Sequence, residues 1–193
     1  MDASRDAKRA EILVAVWRAV AQRGLGAVSI RAVAAEAGVS AGRVQHYFAT
    51  KDELVRASVE FMITAAEQAH AGVTAQAPPA ERLWEVLAHA IPRASTSRAG
   101  TSVFYSFVAA AVSDPHIANT LAEAKTGTEH EVARLLRELR PEAPDAAQEA
   151  RRLLALADGL TMRVLIGSLT VDEAEEALRE ALAEHAPLAE HAN

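Results

Sequence analysis

Apolar residues recur at three- and four-residue intervals along most of this chain, the spacing of helices that bury one face. Ile12, Val16, Ala19 and Val20 set such a stripe in a first helix of about residues 4–23, which Gly24 ends. Ser29 caps a second, with Ile30, Val33, Ala34 and Ala37 inward, and Gly38 suits the left-handed residue that follows a last turn. Ser40 opens a third, short helix in which Val44 and Phe48 face inward while Arg43, Gln45, His46 and Tyr47 point largely elsewhere. Thr50 and Glu53 form a capping box at the head of a long fourth helix that runs through Leu54 and Phe61 to about residue 71.

Gly72 and Ala77-Pro78-Pro79 separate this headpiece from a body. Further helices are predicted at about 80–91, stopped by Pro92, and at about 98–112. Another starts at Asp114-Pro115 and ends near Arg140-Pro141, with a kink expected at Gly127. Asp145 opens the next, and Thr170 with Glu173 caps the last. No alternating Val/Ile/Thr run competes, so the fold expected is all-α, about nine helices, with a helix-turn-helix headpiece at residues 1–50 and a helical domain at 51–193. The helix of about 51–71 connects the two.

Composition narrows the function. The chain of 193 residues is half hydrophobic and has no cysteine, which removes disulfides, thiolate chemistry and thiolate-bound zinc. No apolar run approaches the roughly 18 residues of a membrane span, and the charged start "MDASRDAKRAE" has no signal-peptide core, so a cytoplasmic location is expected. The net charge of −6 conceals an asymmetry: residues 1–56 hold nine Lys/Arg against six Asp/Glu, +3, and the remainder eleven against twenty, −9. A basic end on an acidic body suits phosphate attraction, which is local and screened within about 10 Å.

Chemistry concentrates between Ala37 and Lys51. Glycine permits the tight reversal, Val39 fills the corner, and Ala41 and Gly42 allow close backbone approach to a groove. Arg43 suits guanine or phosphate, Gln45 suits adenine, and His46 or Tyr47 suits a phosphate or a base edge, with Lys51 against the neighbouring phosphates. The same stretch also fits a plain corner between packed helices. "GLGAVS" follows a helix rather than a strand and lacks a third glycine, no Walker loop or Gly-x-Ser-x-Gly is present, and no histidine pairs with another at helical spacing. Neither catalysis, a metal nor a cofactor is expected.

The segment "SIRAVAAEAGVSAGRVQHYFATKDEL" resembles the DNA-binding headpiece of TetR-family transcriptional regulators: the Ser-Ile entry, Val-Ala-Ala, Ala-Gly-Val-Ser, the Tyr-Phe pair and Lys-x-Glu-Leu. "VFYSFVAAAVSDPHIA" and "RRLLALADGLTMRVLIG" are similar to the body of the subgroup that includes the choline-responsive regulators of betaine synthesis. The resemblance implies a repressor that binds a palindromic operator as a homodimer and is released by a small-molecule effector, with no membrane partner. It places Ser29 and Arg31 on the phosphate backbone, Ser40, Gly42, Arg43, Gln45, His46 and Tyr47 on the recognition helix, and Lys51 on the backbone again. Many relatives carry an aromatic where this chain has Gln45, so the operator sequence does not transfer.

In such regulators the last two long helices pair with their copies. The run Leu153–Leu165 is apolar nearly all round, which calls for partners on two sides. Leu153, Leu160 and Val164, with Val171, Leu178 and Leu182 of the last helix, are therefore the expected dimer contacts. Trp84, Phe104, Tyr105, Phe107, Asp158 and Met162 are candidates for an effector chamber, although core packing explains most single aromatic rings. Asp158 either holds a cationic ligand or pairs with Arg163, and the rings are too few for an aromatic cage. Apart from a repressor, these features also fit an activator, or a helical ligand-binding or protein-interaction module that binds no specific DNA.

Overall fold

A computed structural model describes residues 2–74, 77–142 and 145–185, and every regular element among them is helical. The helices are α1 (Asp2–Arg23), α2 (Ile30–Glu36), α3 (Ala41–Tyr47), α4 (Lys51–Thr74), α5 (Pro79–Ala88), α6 (Ser95–Ala111), α7 (Pro115–Leu139), α8 (Ala146–Leu165) and α9 (Val171–His185), with a short 3-10 turn at Leu25–Ala27. No helix among the described residues is long and apolar enough to cross a membrane.

Among the boundaries that differ from the sequence pattern, two have a local reason. α5 ends at Ala88, short of the expected 91, because Pro92 disfavours the helical conformation at Ile91. Here the Ile91 N–H closes a turn on the Ala88 carbonyl at 3.0 Å instead. α6 begins at Ser95 rather than 98, since Ser97 Oγ reaches back to accept the Ala94 N–H at 2.9 Å. α7 runs unbroken through Gly127. A lone glycine lowers helix propensity by about 1 kcal/mol but neither removes a hydrogen bond nor clashes as proline does.

The chain divides into two compact units, Met1–Gln68 with Ser102–Ala122, and Ala69–Thr101 with Glu123–Asn193. The first has a core of Ile12, Leu13 and Val16 from α1, Val33 from α2, Val44 from α3 and Phe48 at its C-cap, Leu54 and Val59 from α4, Phe107 from α6 and Ile117 from α7. Trp17 lies at its edge, stacked on Phe61 with centroids 5.3 Å apart and donating its indole N–H to the Ser58 carbonyl at 3.0 Å. That arrangement satisfies the one polar group a buried tryptophan carries.

An ion pair and a histidine–carboxylate contact tie α4 to the start of α7 inside this unit. Arg56 Nε donates to Asp114 Oδ2 at 2.9 Å, while Asp114 Oδ1 caps α7 by accepting the His116 N–H at 3.0 Å. One turn along, His116 Nε2 lies 2.8 Å from Glu60 Oε1. The Arg56 hydrogen bond, joined by the capping amides against the opposing effect of burial, holds the Asp114 carboxyl below its ordinary value of 3.8.

The second unit packs Leu83, Leu87 and Ile91 against Val132, Leu135 and Leu136 of α7, Leu153, Leu154 and Leu160 of α8, and Ala174, Leu178 and Leu182 of α9. Its caps follow the sequence: Asp145 accepts the Gln148 N–H, and the Thr170–Glu173 box closes reciprocally, with Glu173 accepting the Thr170 N–H at 2.7 Å.

Two predictions test these supports. Gly38 sits at φ +66° and a Cβ there meets nothing within 4 Å. Gly38→Ala therefore costs only backbone strain, about 1–2 kcal/mol, read as a lower urea midpoint at unchanged slope; an unmoved midpoint contradicts it. Asp114→Asn keeps a capping oxygen but removes the charge paired with Arg56. Because the folded carboxyl titrates lower than the unfolded one, its stabilisation is present above about pH 4 and is lost as pH falls further. The melting-temperature gap between wild type and Asp114→Asn should persist at pH 7 and close between about pH 4 and pH 2. A gap that is independent of pH rules out the ion pair as its source.

Candidate nucleic-acid interface

The turn between α2 and α3 is a Schellman ending. The Val39 N–H donates to the Ala34 carbonyl at 2.9 Å and the Gly38 N–H to the Ala35 carbonyl at 3.3 Å, with Gly38 in the left-handed region between them. Ser29 and Ser40 then cap α2 and α3, their hydroxyl oxygens accepting the Ala32 and Arg43 N–H groups, each at 3.1 Å. Both serine hydroxyls are exposed and keep a proton to donate outward.

α3 has two faces. Val44 and Phe48 are buried in the core of the unit, whereas Gly42, Arg43, Gln45 and His46 are exposed and Tyr47 is half-buried. Arg43, Tyr47 and His46 form a stacked set: the Arg43 guanidinium lies 5.8 Å from the Tyr47 centroid, and the His46 ring meets Tyr47 edge-on at 5.4 Å. The sequence marks these three residues singly; their stacking follows from the i, i+4 spacing of Arg43 and Tyr47 on one helix face. Arg31 and Lys51 are exposed at the starts of α2 and α4. α4 begins with half of the expected capping box, Thr50 Oγ1 accepting the Glu53 N–H at 3.1 Å, while Glu53 reaches one residue further back than expected and accepts the Ala49 N–H at 2.7 Å. The nine residues read from the sequence thus all fall on α2, α3, α4 or their caps, within one compact unit. Arg9, to which the sequence reading gave no role, lies over the Phe48 ring at 5.4 Å, and its spacing three residues ahead of Ile12 is the signal that places it there.

The chamber candidates belong to both units. Phe107 is fully buried in the first unit's core, where Phe104 and Tyr105 are half-buried and meet edge-on at 5.9 Å. In the second unit Trp84 lies beneath two guanidinium groups, Arg179 at 4.6 Å and Arg93 at 5.9 Å. Glu175 accepts from both arginines, and although burial pushes its carboxyl up, those two partners hold it below the ordinary range. Asp158 pairs with Lys125 of α7 at 2.5 Å, and the Arg163 guanidinium lies toward Ser168. Met162 is 47 % exposed.

The residues read as dimer contacts have a different environment from the one expected. Leu153, Leu160, Val164, Leu178 and Leu182 are at most 6 % exposed within the single chain, and Val171 is half-buried. They join α8 and α9 to their own core within the single chain. The opposite side of α8 carries Ala155, Gly159, Met162 and Ile166, an apolar stripe at helical spacing that ends on a residue 70 % exposed.

Known proteins agree with both halves. Residues 12–58 match the bacterial regulatory proteins of the tetR family, and residues 79–187 match the C-terminal region of BetI-type transcriptional repressors. Among relatives, the transcriptional regulator BetI of Burkholderia thailandensis is 30 % identical over 165 residues, 82 % of each chain. The regulator PksA of Bacillus subtilis is 27 % identical over 169 residues, 86 % of this chain and 82 % of its own. A solved transcriptional regulator from Saccharomonospora viridis, in complex with choline, shares 26 % identity and superposes with a TM-score of 0.84 over 93 % of this chain and 97 % of that one. A headpiece with a glycine-turned pair of short helices, followed by a BetI-type body, places this chain in the TetR family of helix-turn-helix transcriptional regulators, proteins that act on transcription and not as enzymes.

Proposed function

We propose that the chain is a ligand-responsive repressor that holds a palindromic operator as a homodimer and lets go when a small molecule occupies its body. Reading of DNA falls to residues 1–50, and effector binding and dimerisation to residues 51–193. The observation that carries this reading is the split of α3: Val44 and Phe48 anchor it, while Arg43, Gln45 and His46 stay exposed beside the exposed Arg31 and Lys51. Packing alone does not require five polar side chains around one glycine turn, whereas a major groove reads such groups. Ser29, Ser40, Gly42 and Tyr47 complete the contact.

Two headpieces on a two-fold axis match two half-sites about one helical turn apart, which makes a palindrome the natural target. The open stripe of α8, Ala155, Gly159, Met162 and Ile166, supports the second copy: small residues let helices approach and the two larger ones gain burial. A ligand that favours a headpiece spacing out of step with the groove lowers operator affinity by mass action. The choline held by the Saccharomonospora viridis regulator supports a small organic effector, and the cytoplasm is where such a protein meets DNA.

Two measurements test the proposal. Fluorescence anisotropy on intergenic duplexes next to the gene should find one that the protein binds tightly, and Arg43→Ala should weaken it by about 1–3 kcal/mol, roughly 5- to 150-fold. Equal affinity for every duplex, or none, contradicts a specific operator. Light scattering should give the mass of a dimer at micromolar concentration, and Met162→Glu with Ile166→Glu should return it to monomer; an unchanged mass excludes this face of α8.

A further inference from the structure

We infer that the first two turns of α1 carry a second, sequence-independent phosphate contact beside the reading helix, made by Arg5 and Arg9. This rests on the proposed DNA binding and extends it to residues outside the helix-turn-helix.

The buried stripe of α1 is Ile12, Leu13 and Val16, and the 3.6-residue period carries the same face back through Arg9 to Arg5. The core-facing side of the helix therefore becomes cationic where it leaves the core. Arg9 marks where that end lies, its guanidinium over the ring of Phe48, which caps α3. The Phe48 ring is in turn 6.3 Å from that of Tyr47, whose other neighbours are Arg43 and His46. Arg9 is thus one aromatic ring away from the groove-reading set.

Charge pairing separates these arginines from their neighbours. Arg23 is paired with Glu36, Arg56 with Asp114 and Lys8 with Glu11, but no ion pair engages Arg5 or Arg9 among the described residues. In this they match Arg31, Arg43 and Lys51, the cations already assigned to DNA. Arg18 also lacks such a pair, yet nine residues from Arg9 turn it to the opposite side of α1. Cations in the first turns oppose the helix dipole and so do not serve the helix itself. An exposed cation–π contact explains the place of Arg9 but leaves Arg5, exposed one turn earlier, without a structural role.

The test is the salt dependence of binding by the full-length protein, on the intergenic duplex it binds best and on a scrambled duplex of equal length. Each neutralised phosphate contributes about 0.9 to the slope of log affinity against log salt. With two arginines in each of two headpieces, the Arg5→Ala/Arg9→Ala double variant should flatten that slope by about 3 to 4. It should weaken both duplexes by the same factor, leaving their ratio unchanged. Arg5→Ala alone should account for about half of the change with no shift in melting temperature, and Arg18→Ala for none. A double-variant slope within half a unit of wild type overturns the inference, as does a loss confined to the intergenic duplex or one that appears only with Arg9→Ala and tracks its melting temperature. Wild-type protein that binds no duplex overturns the proposed function as well, and Arg43→Ala, which should change the ratio between duplexes, tells the two failures apart.

Discussion

A seven-residue helix does not persist in water by itself, because nucleation costs more than so few backbone hydrogen bonds return. α3 is such a helix, and what holds it is the burial of Val44 and Phe48 against α1, α2 and α4. Burying each of those side chains contributes about 1.5–3 kcal/mol. Everything on the other face follows from that anchorage. Because the inner face alone fixes the helix, Gly42, Arg43, Gln45 and His46 are free to be chosen for what they touch outside. The glycine turn sets the angle and the serine caps set the ends, so the polar face is presented on a rigid corner.

The headpiece was legible in the sequence because its signals are local. Ser29, Gly38, Ser40, Thr50 and Glu53 each act within four residues of themselves, and all but Glu53, which accepts the Ala49 N–H in place of that of Thr50, do in the structure what their spacing implies. α2 and α3 accordingly start directly after the serines expected to cap them. The body was legible as helices but not as faces. A run such as Leu153–Leu165, apolar nearly all round, has no phase that tells the chain's own core from another subunit's. The large residues Leu153, Leu160 and Val164 went to the core, and the side left open is marked by smaller or more flexible ones, Ala155, Gly159 and Met162. Ion pairs across helices were invisible for the same reason. Lys125 meets Asp158 from 33 residues away, beyond any local pattern, while Arg163, close in sequence, turns toward Ser168.

Charge completes the division of labour. The excess of +3 in residues 1–56 is small, but several acidic groups in the first unit are occupied by its own cations, Glu36 by Arg23, Asp114 by Arg56 and Glu11 by Lys8. Of the cations left over, Arg31, Arg43 and Lys51 lie beside or on α3 and Arg5 and Arg9 at the start of α1, so the small positive excess is concentrated at one end of the unit. In the second unit the carboxylates serve structure instead. Glu131 accepts from Arg82 and Arg134, and Glu175 from Arg93 and Arg179, whose guanidinium groups both lie over the Trp84 ring.

The central claim is that two anchored α3 helices enter successive major grooves of one duplex. Hydroxyl-radical footprinting of the full-length protein on the intergenic DNA it binds measures this directly. The account predicts protected patches related by a two-fold axis, with centres about 10 base pairs, roughly 34 Å, apart or a whole number of turns. A single protected patch, or two with no symmetry between them, would contradict it.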